Sequence, residues 1–216
     1  MNPAAHGLRV TRYPGTLSYD EGYARQLEAI ERLRDPHRPD AELLLLEHAP
    51  VYTLGRMTQP SHIPLNENTL RASGAQVVRI DRGGSVTYHG PGQLTAYLLL
   101  HLKAWNLSIH KHLWNLEEIA LRTLRHFDLD GRRVDGMTGV WVGDAKVCAV
   151  GVGCRKWITY HGLSLNVDLD LAPYARIDPC GLGHRPVTTL AALCGRPVAF
   201  DEAAAALEVA ARQVLS

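Results

Sequence analysis

Three places in this sequence carry side chains that could bind or transform a substrate. The first is Arg82-Gly83-Gly84-Ser85-Val86-Thr87-Tyr88-His89-Gly90-Pro91-Gly92-Gln93, with four glycines in twelve residues. Glycine suits a backbone that takes positive φ or lets another group approach closely. Here the glycines alternate with a guanidinium, two hydroxyls and an imidazole, and apolar runs flank them on both sides, which reads as a polar, ligand-lining loop held by buried strands. His89 could serve there as a base, a hydrogen-bond donor to a ligand, or a brace for the loop. The second place is Ile177-Asp178-Pro179-Cys180-Gly181-Leu182-Gly183-His184-Arg185-Pro186, a tight, glycine-rich turn around a thiol. A nucleophile on such a turn is exposed, and nearby N–H groups can hold an oxyanion. A free thiol has a pKa near ~8.5 and needs a cation to ionise at neutral pH. His184 and Arg185 are the neighbours in sequence that could supply one, and a bystander cysteine is the plainer reading. The third is Lys146, which interrupts the apolar strand Ala145 to Val152. An amine on a core-directed face is poised to exchange a proton; a lysine at the strand end would instead reach for water.

Several elements could position these groups. Tyr19 to Arg34 has helical spacing, with Tyr23, Leu27 and Ile30 on one face, and Asp35-Pro36 ends it. Glu42 to His48 reads as a buried strand, followed by an extended Val51 to Leu54, and Asn66 to Ser73 as a short helix stopped by Gly74. Val77 to Ile80 and Leu94 to Leu100 are the strands beside the glycine-rich loop. Ser108 can cap a helix to Phe127 whose face is Leu113, Leu116, Ala120 and Leu124. Thr138 to Val152 reads as a hairpin turning at Gly143-Asp144, and Trp157 to Asp168 alternates as another strand. Pro173 to Pro186 is loop. Asp201 can cap a C-terminal helix within residues 199–216. Strands and helices mix without strict βαβ order, so the expected class is α+β with mainly antiparallel pairing, in a single domain over residues 1–216.

Composition narrows the function classes. The chain has 216 residues, 46% hydrophobic content and a net charge of +1, enough to bury a core and with no global charge for nucleic acid or a membrane surface. No apolar run reaches membrane-spanning length and the first residues lack a signal pattern, so the expected compartment is the cytoplasm. Four cysteines, without a Cys-x-x-Cys, are expected to be free thiols. Eleven histidines form no metal-ligand motif, and no metal is expected. Cys148 and Cys194 read as packing residues.

The motifs taken together resemble the lipoyl(octanoyl) transferase family. The likeness runs through Glu47-His48-Ala49-Pro50-Val51-Tyr52-Thr53-Leu54-Gly55-Arg56, the Arg82 to Gln93 loop, Gly139-Val140-Trp141-Val142, Lys146 to Val152, Thr159 to Asp168, Pro179-Cys180-Gly181 and Arg185-Pro186-Val187-Thr188. This resemblance implies the α+β fold of the lipoate-protein and biotin-protein ligases and an acyltransferase with a Cys180/Lys146 dyad, needing no cofactor. It makes Lys146, distant in sequence, the cation beside Cys180. It places substrate contacts at Arg82, Gly83, Gly84, Ser85, Val86, Thr87, Tyr88 and His89, at Ala149, Val150 and Gly151, and at Gly162, Leu163 and Ser164. It implies octanoyl-acyl carrier protein as donor, with lipoyl domains of 2-oxoacid dehydrogenase complexes and the glycine cleavage H protein as acceptors. Cys148 stands where a small apolar residue is usual, which raises the prospect of a second labelled thiol. The competing readings are an ATP-dependent lipoate-protein ligase on the same fold, a non-catalytic lipoyl-domain binding protein, and a cysteine hydrolase. Arg132-Arg133 and Arg155-Lys156 are candidate docking cations for an acidic carrier.

Overall fold

A computed structural model describes residues 7–35, 40–179 and 185–216. A seven-stranded sheet forms the frame, in the order β1 (Leu8–Leu17), β2 (Ala41–His48), β6 (Gln93–Leu100), β10 (Ile158–Asn166), β9 (Ala145–Arg155), β8 (Met137–Val142) and β7 (Arg132–Val134). All its neighbours run antiparallel except β1 and β2. A second sheet has the order β4 (Gln76–Arg79), β3 (Val51–Leu54), β5 (Val86–His89). The helices are α1 (Tyr19–Arg32), α2 (Asn66–Ala72), α3 (Ile109–His126), α4 (Leu190–Cys194) and α5 (Phe200–Val214). The expected α+β class with mainly antiparallel pairing is what the chain adopts. Among the described residues no helix is long and apolar enough to cross a membrane.

The large sheet is covered on both faces. Leu94, Ala96, Leu98 and Leu100 of β6 pack with Leu116, Ile119 and Leu124 of α3 and Leu207 of α5. Tyr97 and Leu99 point the other way, toward Ala29 and Ile30 of α1. Double coverage explains why β2 and β6 read as near-continuous apolar runs. Each fully buried leucine contributes about 1.5–3 kcal/mol. Ser108 caps α3 as expected, its Oγ accepting from the Lys111 N–H at 3.1 Å. At α1, Ser18 and Glu21 form a reciprocal capping box.

Four sequence expectations need correction. Leu27 is exposed, because the buried face of α1 is Tyr19, Gly22, Gln26, Ala29 and Ile30. Asp201 lies in the first turn of α5, with Ala199 at the cap position. Pro173 to Pro186 is not all loop, since Ala172–Arg176 forms a 3-10 turn. The glycine-rich segment is likewise not loop throughout: Val86–His89 is a strand, paired antiparallel to β3. Its glycines lie outside those four residues, so nothing prevents the extended backbone there.

Candidate active site

The two sheets meet over the α1-side face of the large one, and the gap between them is a narrow slot of about 60 Å³. Register builds its floor. Tyr97, Gly162 and Gly151 lie abreast on β6, β10 and β9, and Thr95, Ser164 and Ala149 form the next rank. All six line the slot. The roof comes from the small sheet: Thr87 and His89 of β5 face the slot, together with Arg82 and Gly84. The N–H of Gly83 donates to the Val152 carbonyl at 2.9 Å, pinning the glycine-rich segment to β9.

Lys146 closes one end. It is 6% exposed, so it does not reach out to water, and its Nζ lies 4.8 Å from the centroid of the buried Trp141 ring. Lys146 and Cys148 do not alternate simply, because the β8–β9 register shifts between Val140 and Trp141. Gly139 makes room for the amine: a Cβ there would come within 3.2 Å of Nζ and 2.5 Å of the Cys148 carbonyl oxygen, and its φ is +126°. The Gly139 N–H donates to Glu117 Oε1 at 2.9 Å, and Arg133 Nε donates to Glu117 Oε2 at 3.1 Å. A clamp from α3 therefore fixes the backbone against which the lysine rests.

Cys180 to His184 lie outside the described residues, so the geometry of the expected thiol–lysine pair and of His184 is not among these observations. The described residues on either side do converge on Lys146. Pro179 and Val187 line the slot beside it. The Lys146 N–H donates to the Pro186 carbonyl and the Thr188 N–H to the Lys146 carbonyl, both at 2.9 Å. Asp178 N–H donates to the carbonyl of His62, whose Nδ1 accepts from Ser85 Oγ at 2.5 Å.

Over residues 18–211 the sequence matches the family described as the lipoyl protein ligase A/B catalytic domain. The chain belongs to that family. Relatives named Octanoyltransferase include one from Rubrobacter xylanophilus, 44% identical over 88% of this chain and 86% of its own length. Another, from Synechococcus sp. strain JA-2-3B'a(2-13), is 40% identical over 89% of this chain and 78% of its own. Among solved structures, a lipoate-protein ligase A bound with ATP superposes with a TM-score of 0.75 at 19% identity, covering 98% of this chain and 86% of that one. The putative lipoate protein ligase Ta0514 of T. acidophilum, with bound lipoic acid, also gives 0.75, at 18% identity and the same coverage. The lipoate-ligase fold expected from the resemblance is the fold observed.

Within this octanoyltransferase family member, the residues expected at the substrate divide by strand geometry. Arg82, Gly84, Thr87, His89, Ala149, Val150, Gly151, Gly162, Leu163 and Ser164 line the slot. Gly83 and Ser85 face an adjoining groove. Val86 and Tyr88 alternate to the opposite side of β5 and pack in the small-sheet core with Tyr52 and Leu54. Tyr19, Thr95, Tyr97, His161 and Asn166 also line the slot and escaped the sequence reading. For the four on β6 and β10 the signal is the pairing of those strands, a register no local pattern displays, whereas Tyr19 comes from the start of α1.

His89 has both ring nitrogens engaged. The Gln93 amide nitrogen lies within hydrogen-bond reach of the Tyr88 carbonyl, Asn166 Oδ1 and Tyr174 Oη, so its oxygen faces His89 and accepts from Nδ1–H at 2.7 Å. Nε2 accepts from Thr53 Oγ1 at 3.3 Å, and Thr53 Oγ1 accepts from Arg82 Nη2 at 2.9 Å. On the other side Asn166 Nδ2 donates to the Thr188 carbonyl at 3.0 Å. One hydrogen-bonded chain thus runs from Arg82 through His89 to the backbone beside Lys146. This arrangement fits the brace among the three roles open to His89.

Burial holds several of these groups neutral. It pushes the imidazoles of His89 down to about 3 and of His48 and His112 down to about 4. His48 donates from Nδ1 to the Leu17 carbonyl and accepts from Tyr97 Oη at 2.6 Å. Their folded values lie below the ordinary ~6.5, so the unfolded chain binds protons that the native one refuses. Stability is therefore full above that value and lost as pH falls toward 4. Each histidine adds a slope of up to about 1.4 kcal/mol per pH unit, so the three approach about 4. Urea melts at pH 7, 6 and 5 should show a steep fall in midpoint, shallower in His112→Leu; a midpoint flat over that range contradicts the prediction. Burial also drives the Cys148 thiol up to about 12, which removes it as a competing nucleophile despite its place in the slot lining.

Proposed function

We propose that this octanoyltransferase moves an octanoyl group from octanoyl-acyl carrier protein to the specific lysine of a lipoyl domain, through a thioester on Cys180. The observation that carries the reading is the buried Lys146 amine lining a narrow slot, with the residues flanking Cys180 anchored beside it. The kinship at 40–44% identity with octanoyltransferases supports acyl transfer over the ATP-using ligases, whose likeness at 18–19% identity supports the fold alone.

In the first step the Cys180 thiolate, paired with the Lys146 ammonium, attacks the donor thioester carbonyl. The carbon–sulfur bond to the donor breaks, the leaving thiolate takes the proton from Lys146, and octanoyl-Cys180 remains. In the second step the acceptor's neutral amine attacks that thioester, its proton passes to Lys146, and the bond to Cys180 breaks. The amide product leaves, with thiolate and ammonium restored. The octanoyl chain lies along the slot toward Tyr97 and Tyr19, where burial of each CH₂ contributes about 0.8 kcal/mol. The lipoyl domains of 2-oxoacid dehydrogenase complexes and the glycine cleavage H protein are the proposed acceptors, in the cytoplasm. Arg82, Thr87 and His89 hold the roof over the chain, so their part in binding is to keep the slot open.

The test is the mass of an apo-lipoyl domain incubated with the enzyme and octanoyl-acyl carrier protein without ATP. Gain of one octanoyl group is expected. Modification only with free octanoate and ATP would install the ligase reading. Release of free octanoate without acceptor would install the hydrolase, and saturable binding without turnover the binding protein.

A further inference from the structure

Beside the slot lies a second, larger depression of about 620 Å³, sharing Gly84, Lys146, Val150 and Gly151 with it. Met137, Thr138 and Leu113 line it together with Arg56, Met57 and Thr58. Its chemistry differs from the slot's. Its lining combines apolar side chains from β8, β9 and α3 with the hydroxyl-bearing Ser85 and Thr138 and the amide-bearing Gln59. Among the described residues lining it there is no aspartate or glutamate, although the whole chain has 22 acidic residues against 23 basic ones. Arg56 is exposed, and among the described residues its guanidinium takes part in no hydrogen bond or ion pair. Of the arginines singled out from sequence, Arg132 is occupied by the Gly143 carbonyl and Asp144, and Arg133 by Glu117 and Glu118.

We propose that this groove receives the phosphorylated pantetheine-type arm of the thioester donor, with Arg56 binding its phosphate. The inference rests on the acyl-transfer reading above and adds the route by which the donor reaches Lys146. An arm of this class carries amides between apolar segments and ends in a phosphodiester, and the groove, which includes Lys146, offers apolar side chains, polar groups and the Arg56 guanidinium. A guanidinium is the side chain best shaped to bind phosphate through two hydrogen bonds.

The experiment compares octanoyl-pantetheine with octanoyl-4′-phosphopantetheine as donors, with an apo-lipoyl domain as acceptor, in wild type, Arg56→Ala and Arg56→Lys. Wild type should favour the phosphorylated donor by about tenfold or more in kcat/KM, as a charged hydrogen bond of ~1.5–3 kcal/mol allows. That preference should fall to near one in Arg56→Ala and recover partly in Arg56→Lys. Equal turnover of both donors by wild type, or equal losses on both in Arg56→Ala, overturns the groove assignment alone. A rise confined to the KM for the lipoyl domain overturns it in favour of acceptor docking. Transfer from neither thioester overturns the acyl-transfer reading and this inference with it.

Discussion

Cys180→Ala is expected to abolish the acyl-enzyme. Intact mass after mixing with octanoyl-acyl carrier protein should show one octanoyl group on the wild type, discharged by an apo-lipoyl domain, and none on the variant. Turnover should fall by about 10⁴-fold or more, because loss of a nucleophile that forms the covalent intermediate removes the pathway itself. The other described cysteines cannot take over. Cys148 is fully buried, with its thiol driven to about 12. Cys154 is exposed, but neither it nor Cys194 lines the slot. Cys180→Ser should fare little better, since a hydroxyl lacks the acidity that Lys146 exploits. An octanoyl adduct persisting on Cys180→Ala, or transfer surviving at a tenth of the wild-type rate, would mean that Cys180 is not the nucleophile.

The elements that position this chemistry were legible to different degrees. The α3 helix and the β8–β9 hairpin carry strong local signals: a Ser108 cap, apolar residues every three or four positions, and a Gly143-Asp144 turn. β5 was hidden because the glycines around it mask four extended residues. β1 left no pattern at all, since it is an edge strand broken by Pro14-Gly15 and pairs in parallel with β2. The site divides in the same way. Lys146 announced itself as a charge inside an apolar strand, and its burial is what that placement means. The space beside it depends on Gly139 and Trp141 of β8 and on Glu117 of α3, two segments apart in sequence from the lysine. Tyr97 and Thr95 reach the slot only because β6 pairs with β10 in one register. Long-range pairing of this kind leaves no trace in local spacing, and the link from Cys180 to Lys146 came from family resemblance alone.

Lys146→Ala should separate the dyad from the scaffold. The lysine's backbone bonds to Pro186 and Thr188 do not involve the side chain, so the strand and the anchoring of residues 185–188 should survive. What disappears is the amine over the Trp141 ring, and with it both the cation that favours the thiolate and the proton carrier of each step. General acid–base assistance contributes about 10²–10⁴-fold, so kcat/KM should fall by at least that range. A structural defect could lower activity as well, so alkylation supplies the deciding readout. The iodoacetamide pH–rate profile of Cys180, followed in a Cys154→Ser background, should move to higher pH in Lys146→Ala while far-UV circular dichroism stays unchanged. Discharge of any octanoyl-Cys180 that still forms should be slower than in wild type at every pH, because no group remains to take the acceptor amine's proton. An unshifted alkylation profile would leave Lys146 as a packing residue beside Trp141 and require another cation for the thiol.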